Sequence, residues 1–226
     1  MQEQLEEILG VHFQNPQLLR LALTHRSFIY ETPGVGQSSN ERLEFLGDSI
    51  LALISADFLY RTFPDLTEGE LTDVRAVLVR TETLANFARD ITLGKFLLMG
   101  KGEQQSGGGQ RVQASAFEAV LGAIYLDQGL EAVRSFLLPR LDPLAHTIIT
   151  KRLFKDNKSR FQEQAQAHEG ITPSYRLVSQ EGPSHNREFT VEVLLGEKVS
   201  GRGQGRNKQM AEQEAARNAL ESHGWI

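Results

Sequence analysis

The chain has 226 residues, 40% hydrophobic and 23% charged, a globular mix that excludes a disordered or collagen-like chain. The length suggests one large domain or two modest ones. It contains no cysteine, which removes disulfide scaffolds, thiolate zinc sites and cysteine nucleophiles, and its net charge of −5 gives no global pull toward nucleic acid or anionic membranes. The acidic opening stretch is unlike a secretory leader, and no later apolar run approaches a membrane span. A soluble, cytoplasmic protein without membrane contact or organic cofactor is the expectation.

In chain order, the first two-thirds reads as successive helices. Asn15-Pro16 is a turn signal that opens an apolar helix through Leu18, Leu19, Leu21, Ala22 and Leu23. Helical periodicity runs from about 40 to 62 and stops near Phe63-Pro64. The next helix opens at Thr67, with Glu70 placed to complete a capping box. Its apolar positions continue through Leu71, Val74, Val77, Leu78 and Leu84, with a break near Arg80. Residues 100–109, rich in Gly and Gln, read as a loop. Further helices are expected over about 113–127 and 130–150.

After a basic stretch the pattern changes. Residues 151–157 read as a linker between an all-helical domain over 1–150 and a second domain over 158–226. That second domain opens with a helix over 158–169. An early strand contains Tyr175 and Leu177. Phe189, Val191, Val193 and Leu195 alternate with polar residues, the period-2 mark of a strand with one buried face. Gly196-Glu197 suits a tight hairpin turn, and a short third strand follows over 199–202. A last helix carries Ala211, Ala215, Ala216, Ala219 and Leu220. The second domain is therefore α+β, in the order α-β-β-β-α.

The densest chemical signal is Asn40-Glu41-Arg42-Leu43-Glu44-Phe45-Leu46-Gly47-Asp48-Ser49. On a helix, Glu41, Glu44 and Asp48 share one face and Leu43, Leu46, Ile50 and Ile54 the other. Like charges at this spacing repel by roughly 0.2–0.5 kcal/mol per pair, with only Arg42 nearby to offset them. Either the face is a solvated acidic surface, or it binds a hard divalent cation that prefers carboxylate oxygens. Glu68, in the first turn of its helix, either complements the helix dipole or joins that site. Glu118 lies among Phe117, Ala119, Val120 and Leu121. Spacing alone favours the outer face for it, the other choice being a carboxylate held for a purpose. Phe45 stands on the acidic side, to be covered by a loop or by a second subunit.

These residues resemble the signature of bacterial ribonuclease III. Leu23-Thr24-His25-Arg26-Ser27, Glu68-Gly69, Gly100-Lys101-Gly102-Glu103 and Glu118-Ala119-Val120-Leu121-Gly122-Ala123 extend the likeness in the same order along essentially the whole chain. The resemblance implies a homodimeric endonuclease for double-stranded RNA, dependent on Mg²⁺ with Mn²⁺ as a substitute. It implies metal ligation by Glu44, Asp48 and Glu118, with Asp48 and Glu118 as the catalytic pair. Glu41 and Glu68 would be supporting acids, and Phe45 the aromatic that enters the partner subunit. Implied products are 5′-phosphate and 3′-hydroxyl ends with short 3′ overhangs, from ribosomal RNA precursors and messenger RNA. His25 and Ser27 read as structural residues at a helix end.

One position departs from the family. Ser115 stands where an Asp is usual, one turn before Glu118. It either weakens metal binding with activity retained, disables the site, or holds a metal-bound water. The corresponding rival function is a binder of double-stranded RNA that does not cut it. A helical phosphohydrolase acting on small molecules is a third reading, which leaves the second domain unexplained.

The second domain resembles a double-stranded RNA-binding domain. Residues 156–226 hold nine Lys and Arg against ten Asp and Glu, so the domain is not basic as a whole. Yet Arg202, Arg206 and Lys208 stand close together with no acid among residues 199–209, near a helix start that attracts phosphate. By resemblance, Gln162, Glu163 and His185 would enter minor grooves and Arg206 and Lys208 would hold phosphates. Asn207-Lys208-Gln209 replaces the usual Ser-Lys-Lys, which implies weaker, still salt-sensitive binding.

Overall fold

A computed structural model describes residues 2–32, 38–105, 108–183 and 187–225. His185 lies outside the described residues. Contacts divide the chain into two units, one through Phe154 and one from Lys155.

The first unit is helical: α1 (Gln2–Leu9), α2 (Pro16–Ala22), α3 (Arg26–Glu31), α4 (Glu41–Thr62), α5 (Glu68–Leu78), α6 (Thr81–Asp90), a 3-10 turn (Leu93–Lys95), α7 (Lys101–Gln105), α8 (Gln110–Gln128) and α9 (Leu130–Thr150). Local chemistry sets the boundaries. The Asn15 side chain accepts from Gln17 N–H to start α2, with Pro16 as its first residue. Thr67 and Glu70 form the expected capping box of α5, and Arg80 separates α5 from α6. His25 caps α3 through its ring nitrogen, which accepts from Ser27 N–H.

The loop expected over 100–109 contains α7, a single short turn of helix too brief to show a period. Its entrance is tied to α3: Ser27 Oγ accepts from Gly100 N–H at 2.9 Å and Glu31 from Lys101 N–H at 2.9 Å.

The core of this unit lies between α4 and α8. Leu51, Ile54, Phe117, Leu121 and Ile124 have no exposed surface. The N-terminal segment is held by the far end of α8, where both carboxylate oxygens of Asp127 accept, from Gln14 N–H and Asn15 N–H, each at 2.8 Å.

In the second unit, α10 (Asn157–Glu169) is capped by the Asp156 carboxylate. Strands β1 (Ser174–Glu181), β2 (Glu188–Leu195) and β3 (Lys198–Gly205) form an antiparallel sheet in sequence order, and α11 (Lys208–His223) closes the unit. The architecture is thus an all-α unit followed by an α+β unit in the order α-β-β-β-α. β3 is longer than the 199–202 expected. Gly201, Gly203 and Gly205 alternate along it and face α11. A Cβ on Gly203 would sit 2.1 Å from the Ala215 nitrogen and one on Gly201 2.4 Å from the Ala215 oxygen. Glycine on the strand and alanine at 211, 215 and 219 on the helix let the two backbones approach closely.

Candidate active site and RNA-binding surface

The head of α4 is fixed first. Asn40 is buried, donating its side-chain amide to the Ala22 oxygen at 3.1 Å and its backbone N–H to the Thr24 oxygen at 2.9 Å. Glu41 follows, exposed, accepting from Ser39 Oγ at 2.7 Å with Arg26 Nη1 at 3.6 Å. The cation beside the acidic face is therefore Arg26, brought from α3, rather than the neighbouring Arg42. Sequence proximity could not show this, because α3 lies outside the periodicity of α4.

Glu44 and Asp48 stand beside Gly47, and that glycine builds the site. A Cβ on Gly47 would lie 1.8 Å from the Glu118 carbonyl oxygen. Reciprocally, a Cβ on Gly122 would lie 2.4 Å from the Leu43 carbonyl oxygen. The α4 and α8 backbones touch at these two glycines, which brings Glu44 and Asp48, together on one side of Gly47, near the carboxyl on α8.

Glu118 consequently does not lie on the outer face of α8. It is half-buried, and its carboxyl is pushed up to about 7, by burial first and then by the charges of Asp48 and Glu44. Neither Glu41 nor Glu68 is among the groups that act on it. Ser115 is half-buried one turn before Glu118.

This charge concentration is what a divalent cation would relieve. Among the described residues, however, no three His, Cys, Asp or Glu are gathered tightly enough to enclose a metal ion by themselves. The donor set fits a small hard cation such as Mg²⁺, which keeps several waters and takes only one or two carboxylates directly, with substrate phosphates completing its shell. It does not fit a fully protein-ligated ion.

Glu68 stands apart from that cluster, at the head of α5. It accepts from Thr72 Oγ1 at 3.3 Å and borders a hollow with Leu53, Tyr60 and Arg75. Phe45 is 77% exposed, so no loop among the described residues covers it. Beside it opens a largely apolar hollow of about 660 Å³, lined by Leu18, Leu21, Leu46 and Leu126.

In the second unit, Gln162 and Glu163 border an open groove on α10 with Ser159 and Gln166. Glu163 accepts from Lys155 Nζ through both oxygens, at 2.9 Å each. Arg206 and Lys208 are both exposed at the head of α11, where Asn207 caps the helix by accepting from Met210 N–H. Lys208 keeps a loose ion pair with Glu212 at 3.9 Å. Sequence reasoning missed the structural part of Gly47 and Gly122. The available signal was a glycine interrupting each apolar helical run, which often marks close backbone approach.

Comparison with known proteins finds relatives for both units. Residues 15–143 match the ribonuclease-III-like family and residues 157–223 the double-stranded RNA binding motif. The chain is 48% identical to Ribonuclease 3 of Oceanobacillus iheyensis over 220 residues, covering 96% of each protein. It is 47% identical to Ribonuclease 3 of a Roseiflexus species, covering 97% of this chain and 94% of the relative. Among solved structures, the nuclease domain of ribonuclease III from Campylobacter jejuni matches with a TM-score of 0.57 at 36% identity, covering 62% of this chain and 96% of that domain. Its description concerns flexibility in a region involved in dimer formation. Dicer from Pichia stipitis matches with a TM-score of 0.50 at 27% identity, covering 93% of this chain and 95% of that structure. Matched along nearly its whole length and in both of its units, the chain belongs to the ribonuclease III family of double-stranded-RNA endoribonucleases.

Proposed function

We propose that this chain is a Mg²⁺-dependent homodimeric nuclease that hydrolyses both strands of an RNA duplex. The products have 5′-phosphate and 3′-hydroxyl ends with short 3′ overhangs. Its substrates are ribosomal RNA precursors and structured messenger RNA in the cytoplasm, as the family resemblance implies. The observation that carries the reading is the Glu118 carboxyl, half-buried and raised to about 7 beside Asp48 and Glu44. A half-buried carboxyl raised further by two neighbouring carboxylates, with no basic side chain acting on it, is an electrostatic cost that a bound cation removes.

Glu44, Asp48 and Glu118 are the residues that would hold the ion, one or two of them directly and the rest through its waters. When bound, Mg²⁺ (or Mn²⁺ in its place) supplies acidification of water and charge relief at the leaving oxygen. The chain's own residues prepare the site. Asp48 and Glu44 keep Glu118 in a negative environment, and Glu118 surrenders its proton near neutrality. Ser115 offers a hydroxyl able to donate to or accept from an ordered water. Glu41, steadied by Arg26 and Ser39, and Glu68 at the head of α5 are supporting acids. In the second unit, Gln162, Glu163 and His185 read the minor groove, while Arg206 and Lys208 hold phosphates. Two sites are needed for two strands. Phe45 with its adjoining hollow supplies a complementary pair of features for a symmetric contact between two copies.

A second reading rests on Ser115, whose neutral hydroxyl leaves the site one acid short of its family. In that reading the chain grips duplex RNA without cutting it. Cleavage of a long RNA duplex across a Mg²⁺ titration, comparing the chain with Ser115→Asp, separates the two. We expect both proteins to cut, with Ser115→Asp reaching half-maximal rate at lower Mg²⁺. Cleavage by Ser115→Asp alone would establish the non-cleaving reading instead.

A further inference from the structure

The α8 face that carries Glu118 carries a second charged residue whose position serves no evident structural purpose. Arg111, Ser115 and Glu118 are spaced i, i+4 and i+7, which places all three within about 60° of one another around the helix. Arg111 therefore lies about 10 Å along the axis from Glu118, on the side of α8 that faces the carboxylates. It is exposed, and among the described residues it makes no ion pair or hydrogen bond.

Neither stability nor neutralisation accounts for that cation. Gly109 is the N-cap of α8, which puts Arg111 in the first turn, where the helix dipole disfavours positive charge by about 0.3–1 kcal/mol. The first turn holds no acid to offset it. Nor does Arg111 neutralise the site, since the groups acting on the Glu118 carboxyl are Asp48 and Glu44. An exposed guanidinium is thus held at an unfavourable place, beside an acidic cluster that must nevertheless receive a polyanion.

We infer that Arg111 binds a backbone phosphate of the RNA duplex on the strand being cut, next to the phosphate that meets Glu118. The substrate is a chain of evenly spaced negative charges, so a site built from acids needs a cation outside the cluster to hold it in register. Arginine suits the task, because its planar fork bonds two phosphate oxygens at once. The contact carries no base information and therefore acts on all duplex sequences alike. It is separate from the phosphate contacts at Arg206 and Lys208, which belong to the second unit.

This inference rests on the carboxylate site proposed above, and the test separates the two. Steady-state cleavage of one RNA duplex is measured over a range of monovalent salt for the full chain, Arg111→Gln, Arg111→Lys and Glu118→Gln. For Arg111→Gln we expect KM to rise about fivefold with kcat nearly unchanged. The slope of log(kcat/KM) against log(salt) should become shallower by about one unit. Arg111→Lys should restore the slope and most of KM. A purely structural role would lower the melting midpoint, whereas removal of a charge opposed to the dipole should leave it unchanged or slightly raised.

The inference is overturned if Arg111→Gln keeps the parent KM and salt slope while Glu118→Gln has lost cleavage. If Glu118→Gln still cuts, the carboxylate site fails instead. The salt slope of Arg111→Gln then still decides the phosphate contact by itself.

Discussion

At the scale of single residues, Glu118 illustrates how a carboxyl of the proposed site opposes folding. Its folded pKa of about 7 lies above that of an unfolded glutamate, so the native state binds its proton more tightly. The resulting penalty is absent below about pH 4, grows between the unfolded and folded values and is complete above about 7, where Glu118 ionises against Asp48 and Glu44. In the metal-free protein, with solvent screening reducing the full effect on this partly exposed carboxyl, Glu118→Gln should therefore raise stability by about 1–2 kcal/mol at pH 8 and by only about a few tenths at pH 5. Urea denaturation in the presence of a chelator, at both pH values, measures this. A variant no more stable at pH 8 than at pH 5 would contradict the like-charge environment.

At the scale of elements, two glycine contacts hold the two units' working surfaces. Gly47→Ala would drive a methyl into the Glu118 carbonyl and should destabilise the first unit by 3 kcal/mol or more, on the order of the largest overpacking penalties. Gly203→Ala, 2.1 Å from the Ala215 nitrogen, should unfold the second unit and abolish its RNA binding while the helical unit still melts cooperatively. Gly69 is a useful contrast. Nothing lies within 4 Å of its would-be Cβ inside α5, so Gly69→Ala should stabilise by about 0.5–1 kcal/mol. Circular dichroism melts of the three variants provide the comparison.

These contacts also explain what the sequence could and could not disclose. The capping box at Thr67 and Glu70, the break at Arg80 and the strand β2 are local signals, and they were readable, although Thr190 and Leu194 on the face expected to be open are buried too. The full length of β3 was not, because glycines at 201, 203 and 205 resemble a loop until alanines from a distant helix are set against them. The inward placement of Glu118 failed for the same reason. Its neighbours are apolar whichever way it points, and the deciding contact is with Gly47, far away in sequence. Short helices such as α3 and α7 carry too few residues for a period to emerge.

At the scale of the whole molecule, charge decides the response to acid. Arg61 and Arg134 hydrogen-bond Asp57 and hold its carboxyl below the usual range. Burial pushes Asp127 and Asp156 up, but the N–H groups of Asn15 and Gln14 on the first and of Ser159 on the second pull them below it. Each group has a depressed folded pKa. It contributes stability above the unfolded value, near pH 4, that disappears as pH falls through the folded value. Both units should therefore lose stability below about pH 4, with Asp127→Asn flattening that dependence in the first unit only. Assembly is the other property of this scale. With Phe45 exposed beside an apolar hollow, Phe45→Ala should convert the proposed dimer to monomer, which light scattering after gel filtration would detect.

The Asp127 clamp also has a consequence in time. Its donors, Gln14 and Asn15, lie 113 and 112 residues earlier in the chain. During synthesis at about 5–20 residues per second, those two N–H groups wait roughly 6–20 s for their acceptor. Throughout that interval the start of α2 is held only by local bonds, and the nascent helical unit stays open at its own beginning. A ribosome that pauses before codon 127 presents an unfinished helical unit to the cell, whereas one that pauses far enough past codon 154 for the unit to have left the exit tunnel carries a unit able to close.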